Sequence, residues 1–309
     1  MNEFVEHDPV LLQESINLLV NNKDGIYLDG TFGGGGHSKH ILNKIDNNGK
    51  LIAFDKDYDA FKRASLIDDD RFHIYHDTFA NFENILQLNN LQKINGALLD
   101  LGISSFQLKD KKRGISYQLE SKLDMRMDLT KGISLFEWIN NADIHEIHSV
   151  IKNYGEEPKA KKITNKIIFF RQKKKITTTT DLVEIVKIAI GHTNNINKVL
   201  SGVFQSFRIF INNELEELNV FLNKVIDYLD INGVIVVISF HSLEDRIVKR
   251  FFNSITSDSI SKQIPLKISE LKHIKFINLS KPIRPTFDEV KNNPRARSAI
   301  MRAAKKINL

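Results

Sequence analysis

The chain has no cysteine among its 309 residues. No disulfide can form and no zinc can be held by thiolates, so a reducing compartment such as the cytoplasm suits it. One chemical route is excluded too, because attack on a pyrimidine ring by a thiolate nucleophile needs a Cys. Proline is scarce at 6 residues, no proline-rich linker interrupts the chain, and tryptophan occurs once. Long apolar runs are absent: "GVIVVISF" at 233–240 is far too short to cross a bilayer. The opening "MNEFVEHDPVLLQESINLLV" mixes acids with apolar residues and lacks the basic start and small-residue cleavage site of a secretory signal. A soluble protein with no membrane partner is expected. Charge of one sign is also limited, with 44 Lys and Arg against 38 Asp and Glu, a net charge of +6. That excess favours an anionic partner such as nucleic acid but does not establish one.

What is present is enough for a core: 41% of residues are hydrophobic, and the length allows one large domain or two ordinary ones. Short apolar runs alternate with helical spacing in the first hundred residues. "GIYLDG" (25–30), "LIAFDKD" (51–57), "RFHIYHDT" (71–78) and "NGALLDLG" (95–102) read as strands, with helices between them. This alternation predicts a doubly wound, parallel α/β sheet. The strands finish at Asp29, Asp55, Asp77 and Asp100, and ligands of such sheets sit at the carboxyl ends. From 103 to 211 the spacing predicts helices only. The sheet resumes with a helix over 212–229, the strand "GVIVVISF", and the helix "SLEDRIVKRFF". "HIKFINLS" (273–280) and "RSAIMRAA" (297–304) can close the sheet, although the second reads equally well as helix. The expected organisation is one nucleotide-type domain from 1–102 and 212–309, with a helical lobe at 103–211 inserted.

The stretch "LDGTFGGGGHSKH" (28–40) carries five glycines after a strand. A phosphate-binding P-loop needs GxxxxGK[ST], and no Lys-Ser/Thr pair follows. A strict dinucleotide fingerprint also fails, because Ser38 stands where the third glycine belongs when counting from Gly33. S-adenosylmethionine on a looser glycine turn remains. Asp55 lies nineteen residues beyond Gly36, close to the separation of about 20 at which a carboxylate meets ribose hydroxyls. Glycines serving only tight helix–strand packing are the alternative.

Several stretches go further than pattern. "DGTFGGGGHS", "LLDLGISSFQL", "LDMRMD", "YGEE", "FQSFRIFINNELEEL", "SFHSLEDRIVKRF" and "NPRARSA" resemble, in order, the motifs of the MraW family, bacterial methyltransferases that modify cytosine N4 of small-subunit ribosomal RNA. The resemblance runs from about His7 to the C-terminus. It implies a class I methyltransferase fold (Rossmann-like, with a mostly parallel sheet) and an inserted helical substrate-recognition domain. S-adenosylmethionine is the implied methyl donor. The implied partner is small-subunit (16S) ribosomal RNA at a decoding-region cytosine, within the assembled 30S subunit, and a homodimer is also allowed for. The family's donor contacts fall on Gly34, Gly35, Gly36, His37, Asp55, Phe79, Asp100 and Gln107. An arginine often found in the middle of that loop is Gly34 here.

Cytosine N4 is a poor nucleophile because its lone pair is delocalised into the ring. It must be held in line with the methyl group, hydrogen-bonded at its N–H groups and kept from water. Neither a metal nor a covalent intermediate is needed. Asp100 is the first candidate acceptor, with Ser104 and Ser105 behind it, and binding of the donor's amino group is an equal alternative for Asp100. His37 can offer its backbone N–H at a helix start. Phe79 can cover the adenine face, although a lone Phe is more often core. His241, beside Glu244, reads as substrate-side, while Ser242 and Asp245 have capping-box spacing. Trp138 could stack on a flipped base, against the commoner fate of core packing. The acid-free run "KAKKITNKIIFFRQKKK" (159–175), ending in Lys173, Lys174 and Lys175, fits an RNA-tracking surface, as do Arg126, Arg295 and Arg297. A non-catalytic RNA-binding assembly factor is the competing reading.

Overall fold

Short apolar segments become the strands of one sheet in the computed structural model, which describes residues 9–256 and 276–307. They are β1 (Ile26–Asp29), β2 (Lys50–Asp55), β3 (Phe72–His76), β4 (Ile94–Asp100), β5 (Leu229–Ser239), β6 (Phe276–Asn278) and β7 (Ile300–Lys306). Their spatial order is β3-β2-β1-β4-β5-β7-β6. The first five pair in parallel, and β7 runs antiparallel to both β5 and β6.

Side chains alternate between the two faces of a strand. Leu51 and Ala53 of β2 and Val234, Val236 and Ile238 of β5 join one buried cluster with Ile16, Leu19 and Ile41. Ile52, Phe54, Ile235 and Val237 join another with Phe82, Phe221, Leu222 and Val248. Helices therefore cover both faces, which is why these strands read as continuous apolar runs. They are α1 (Leu12–Leu19), α2 (Gly36–Lys44), α3 (Tyr58–Ala64), α4 (Phe82–Leu88) and, after the insertion, α11 (Glu214–Tyr228) and α12 (Ser242–Thr256); α13 (Phe287–Asn292) follows with none of its residues buried. The ambiguous "RSAIMRAA" splits into a 3-10 turn over Pro294–Ser298 and strand β7. Of "HIKFINLS", residues 273–275 lie outside the described residues, as does His7. β5 starts at Leu229, earlier than its glycine-led run implied.

The chain divides into two compact units: Met1–Gly102 with Leu215–Leu309, and Ile103–Glu214. The second holds α5 (Ser105–Lys109), α6 (Leu135–Asn141), α7 (Ile144–Gly155), α8 (Ala160–Lys173), α9 (Thr179–Ile190) and α10 (Ile196–Ile211). Its only described β feature is the isolated bridge Lys122–Thr178. Thr178, from the "TTTT" run, caps α9 by accepting the Asp181 N–H. α7 and α10 meet through two glycines: a Cβ on Gly155 would stand 3.0 Å from the Gly202 carbonyl oxygen, and one on Gly202 would stand 3.1 Å from that of Gly155. Close approach of two backbones thus accounts for the glycine of "YGEE".

"LDMRMD" forms a tightly bound loop in this second unit. The Asn212 carboxamide accepts from Met127 N–H at 2.7 Å and donates to the Met125 carbonyl at 2.8 Å, fixing Met125 at a φ of 65°. Buried Arg113 donates to the Met127 carbonyl at 2.6 Å. Among the described residues, no helix is long and apolar enough to cross a membrane.

Candidate active site

In the sheet of the first unit, the chain order reverses between β1 and β4. Such a switch point opens a crevice beyond the carboxyl ends of the two strands. Asp29 ends β1 and Asp100 ends β4, so both acids stand at that point.

Asp29 is 1% exposed. Its carboxylate accepts from Ser38 Oγ at 2.6 Å and from the Thr31 N–H at 3.1 Å, and burial raises its pKa. The Thr31 hydroxyl in turn accepts the Asp100 N–H at 2.7 Å, tying β4 to the glycine loop. Asp55, at the end of β2, accepts from the Gly33 N–H at 2.7 Å and the Asp57 N–H at 2.8 Å. Burial pushes its carboxyl up to about 6; those two donors oppose the rise, and the charges of Asp57 and Asp29 add to it.

The glycines have distinct local causes. Gly33 and Gly35 hold φ angles of 54° and 78°, where a side chain is strained. A Cβ on Gly30 would come within 2.3 Å of Leu99 and 2.9 Å of Phe79, and one on Gly36 within 2.5 Å of Pro9. Packing therefore explains two of the five, and turn geometry two more. The φ of Gly34 does not demand glycine.

Asp100 is the electrostatic centre. Burial first, then the charges of Asp29 and Glu244, push its carboxyl well above the usual carboxylate range. His37 Nδ1 lies 3.6 Å from its Oδ2. Its Oδ1 is buried and has no hydrogen-bond partner among the described residues. Three acids thus crowd the strand ends, an arrangement that favours a cationic ligand.

His241 sits at the cap of α12, where its ring is 10% exposed. Glu244 Oε2 accepts the N–H groups of Phe240 (2.8 Å) and His241 (3.3 Å), while His241 Nδ1 accepts the Glu244 N–H at 3.3 Å. This is a capping box with histidine in the place of serine. Because Nδ1 accepts, the neutral ring carries its proton on Nε2, which lies 3.1 Å from Glu244 Oε1 but outside hydrogen-bonding geometry. The expected Ser242–Asp245 box is therefore corrected: the box begins one residue earlier, and Asp245 instead pairs with Arg302 of β7 at 3.0 and 3.2 Å.

The model of the MraW methylase family matches residues 4–307. The chain belongs to the MraW methylase family. Relatives span nearly its full length. A protein of Nitrosospira multiformis named "Ribosomal RNA small subunit methyltransferase H" is 43% identical over 314 residues, covering 100% of this chain and 99% of its own. A Coxiella burnetii protein of the same name is 44% identical over 305 residues, covering 98% and 99%. The methylase thus has the class I, Rossmann-like fold, and S-adenosylmethionine is its methyl donor.

The residues at the crevice fit that donor, which carries a cationic sulfonium and ammonium, a carboxylate and a ribose diol. Asp55 would hold the ribose hydroxyls, and Asp29 or Asp100 the ammonium; the buried Oδ1 of Asp100 is an acceptor with capacity left. The first N–H groups of α2, from Gly36 and His37, suit the carboxylate.

Phe79 is 9% exposed and packs edge-on against Phe221 with ring centroids 5.5 Å apart. In the helical unit, Trp138 is 7% exposed and packs at 4.6 Å on Phe210, which corrects its assignment as a stacking platform for a base. Arg126 forks onto Asp124 at 2.8 and 2.9 Å and onto the carbonyls of Lys131 and Gly132, so its donors organise the loop. Ser104 and Gln107 form the capping box of α5. Lys173, Lys174, Lys175, Arg295 and Arg297 are exposed. Thr31 and Ser38 were not foreseen; both are short hydroxyl residues beside a strand-end acid.

Proposed function

We propose that this chain methylates the exocyclic N4 of a cytosine in the decoding region of small-subunit ribosomal RNA, acting in the cytoplasm on the assembled 30S subunit. The relatives' shared name supports the RNA class. The observation that carries the chemistry is the half-buried Asp100 carboxyl at the sheet's switch point, with its pKa raised and its buried Oδ1 left to accept.

S-adenosylmethionine, when bound, supplies an electrophilic methyl group on a sulfonium whose departure leaves a neutral thioether. Every other requirement falls on the protein. N4 attacks the methyl carbon as the carbon–sulfur bond breaks, and N4 then sheds a proton. An acceptor placed on the N4 hydrogens pulls its lone pair out of conjugation and receives that proton. Asp100 has the position for this, and burial with the charges of Asp29 and Glu244 raises the proton affinity of its carboxyl above the usual carboxylate range. Where Asp29 alone holds the donor's ammonium, Asp100 is free for the amine. His241 and Glu244 brace the start of α12 beside this point.

Tritiated methyl donor supplied to 30S subunits from cells lacking the enzyme, followed by nucleoside mass analysis, tests the reading. Label on cytosine N4 is expected. Label on a protein, or on another atom of the RNA, overturns it.

A further inference from the structure

Helix α8 buries Ala160, Ile163, Thr164 and Ile167 against the core of the helical unit. Its other side carries Lys162, Lys166, Phe169 and Lys173, spaced four, three and four residues apart and hence on one face. No Asp or Glu occurs from Lys159 through Thr180. In the middle of this cationic stripe Phe169 is 44% exposed. Its ring is steadied at the edge by Phe170, with centroids 5.5 Å apart at 83°. The ammonium of Lys173 stands 4.2 Å from its centroid, and that of Lys166 stands 5.4 Å away.

We propose that this face of α8 docks a single-stranded segment of the RNA substrate, with Phe169 stacking on one base and Lys162, Lys166 and Lys173 meeting the neighbouring phosphates. The proposal rests on the functional reading above and names a contact beyond the methylated nucleotide. The acid-free stripe supplies charge complementarity to a phosphate backbone. A polycationic tract alone would bind any anion, but an oriented aromatic ring among the cations is what single-strand binders add for the bases. A cation over an exposed ring is held more weakly than a base stacked on it, so a base displaces the ammonium, which moves to a phosphate. An acidic protein segment would use the lysines and leave the ring idle.

The test compares Phe169→Ala, Phe169→Trp and the pair Lys166→Glu/Lys173→Glu in the full-length enzyme. Phe169→Ala should raise KM for unmethylated 30S subunits about tenfold while leaving affinity for the methyl donor unchanged. Phe169→Trp should keep the wild-type KM, and its exposed indole emission should be quenched when subunits or a single-stranded ribosomal RNA fragment are added; Trp138, buried, gives a constant background. A wild-type KM for Phe169→Ala, or unquenched emission, overturns the proposal. So does a loss confined to the lysine variants, which assigns the stripe to phosphates alone or to an acidic protein. If the wild-type enzyme places no methyl group on cytosine N4, the functional reading falls, and quenching of Phe169→Trp by RNA still decides the docking face.

Discussion

Asp100 keeps a half-buried carboxyl group where its charge is disfavoured, by that burial and by the charges of Asp29 and Glu244. Asp55 shares the problem: its carboxyl ionises at about 6 in the fold against 3.8 in an unstructured chain. Between those two values the folded protein holds a proton that the unfolded chain has lost. The Asp55 contribution to stability is therefore greatest below the lower value and is lost as pH rises through the upper one, by on the order of 1–3 kcal/mol. Melting series on the donor-free enzyme and on Asp55→Asn should show the wild type losing stability relative to the variant across this window; no relative change would remove Asp55 from the account. Asp100→Asn should stabilise the donor-free protein near neutral pH by roughly 1–2 kcal/mol, because Oδ1 gives up no hydrogen bond. The same variant should lose methyl transfer while still binding RNA. Wild-type turnover by Asp100→Asn would show that the acid has no part in the chemistry. The strand-end acids were legible in the sequence because strands of this kind stop at ligands. The causes of Gly30 and Gly36 were not, since Leu99 and Pro9 meet them only after the chain has folded.

Among the elements, α12 shows how a motif can serve structure and site together. His241 caps the helix through Nδ1 and Glu244 returns the favour through Oε2, an exchange that serine could make equally well. His241→Ser should thus unfold within about 0.5 kcal/mol of wild type, while His241→Ala should lose about 1 kcal/mol, the usual cost of a missing cap. Denaturant unfolding measures both. If capping is all the ring does, His241→Ser keeps its turnover; a stable His241→Ser with turnover reduced a hundredfold returns the imidazole to the substrate. Sequence reading placed this box one residue late because it searches for Ser, Thr, Asp or Asn as the cap, and Ser242 was the nearest. β7 was ambiguous for another physical reason. Its pairing partner β5 lies some sixty residues back, so nothing local favours strand over helix.

At the scale of the whole molecule, a net charge of +6 says little by itself, because it does not say where the cations cluster. What distinguishes Lys173, Lys174 and Lys175 is that they are exposed, adjacent and far in sequence from any carboxylate, with Asp181 the nearest on one side and Glu157 on the other. Each phosphate they neutralise releases condensed counterions, so affinity for RNA should fall steeply with salt. Changing all three to Glu should weaken subunit binding and flatten that dependence, reducing the log–log slope by about 2 to 3 if each lysine meets one phosphate. Filter binding across a salt series, at fixed donor concentration, gives the slope directly. Weaker binding with the slope preserved would mean that the substitutions act through local structure at the end of α8. An unchanged slope with unchanged affinity would mean that the lysines are a solvated face and that the RNA follows other cations, Arg295 and Arg297 being the exposed pair on which to repeat the measurement.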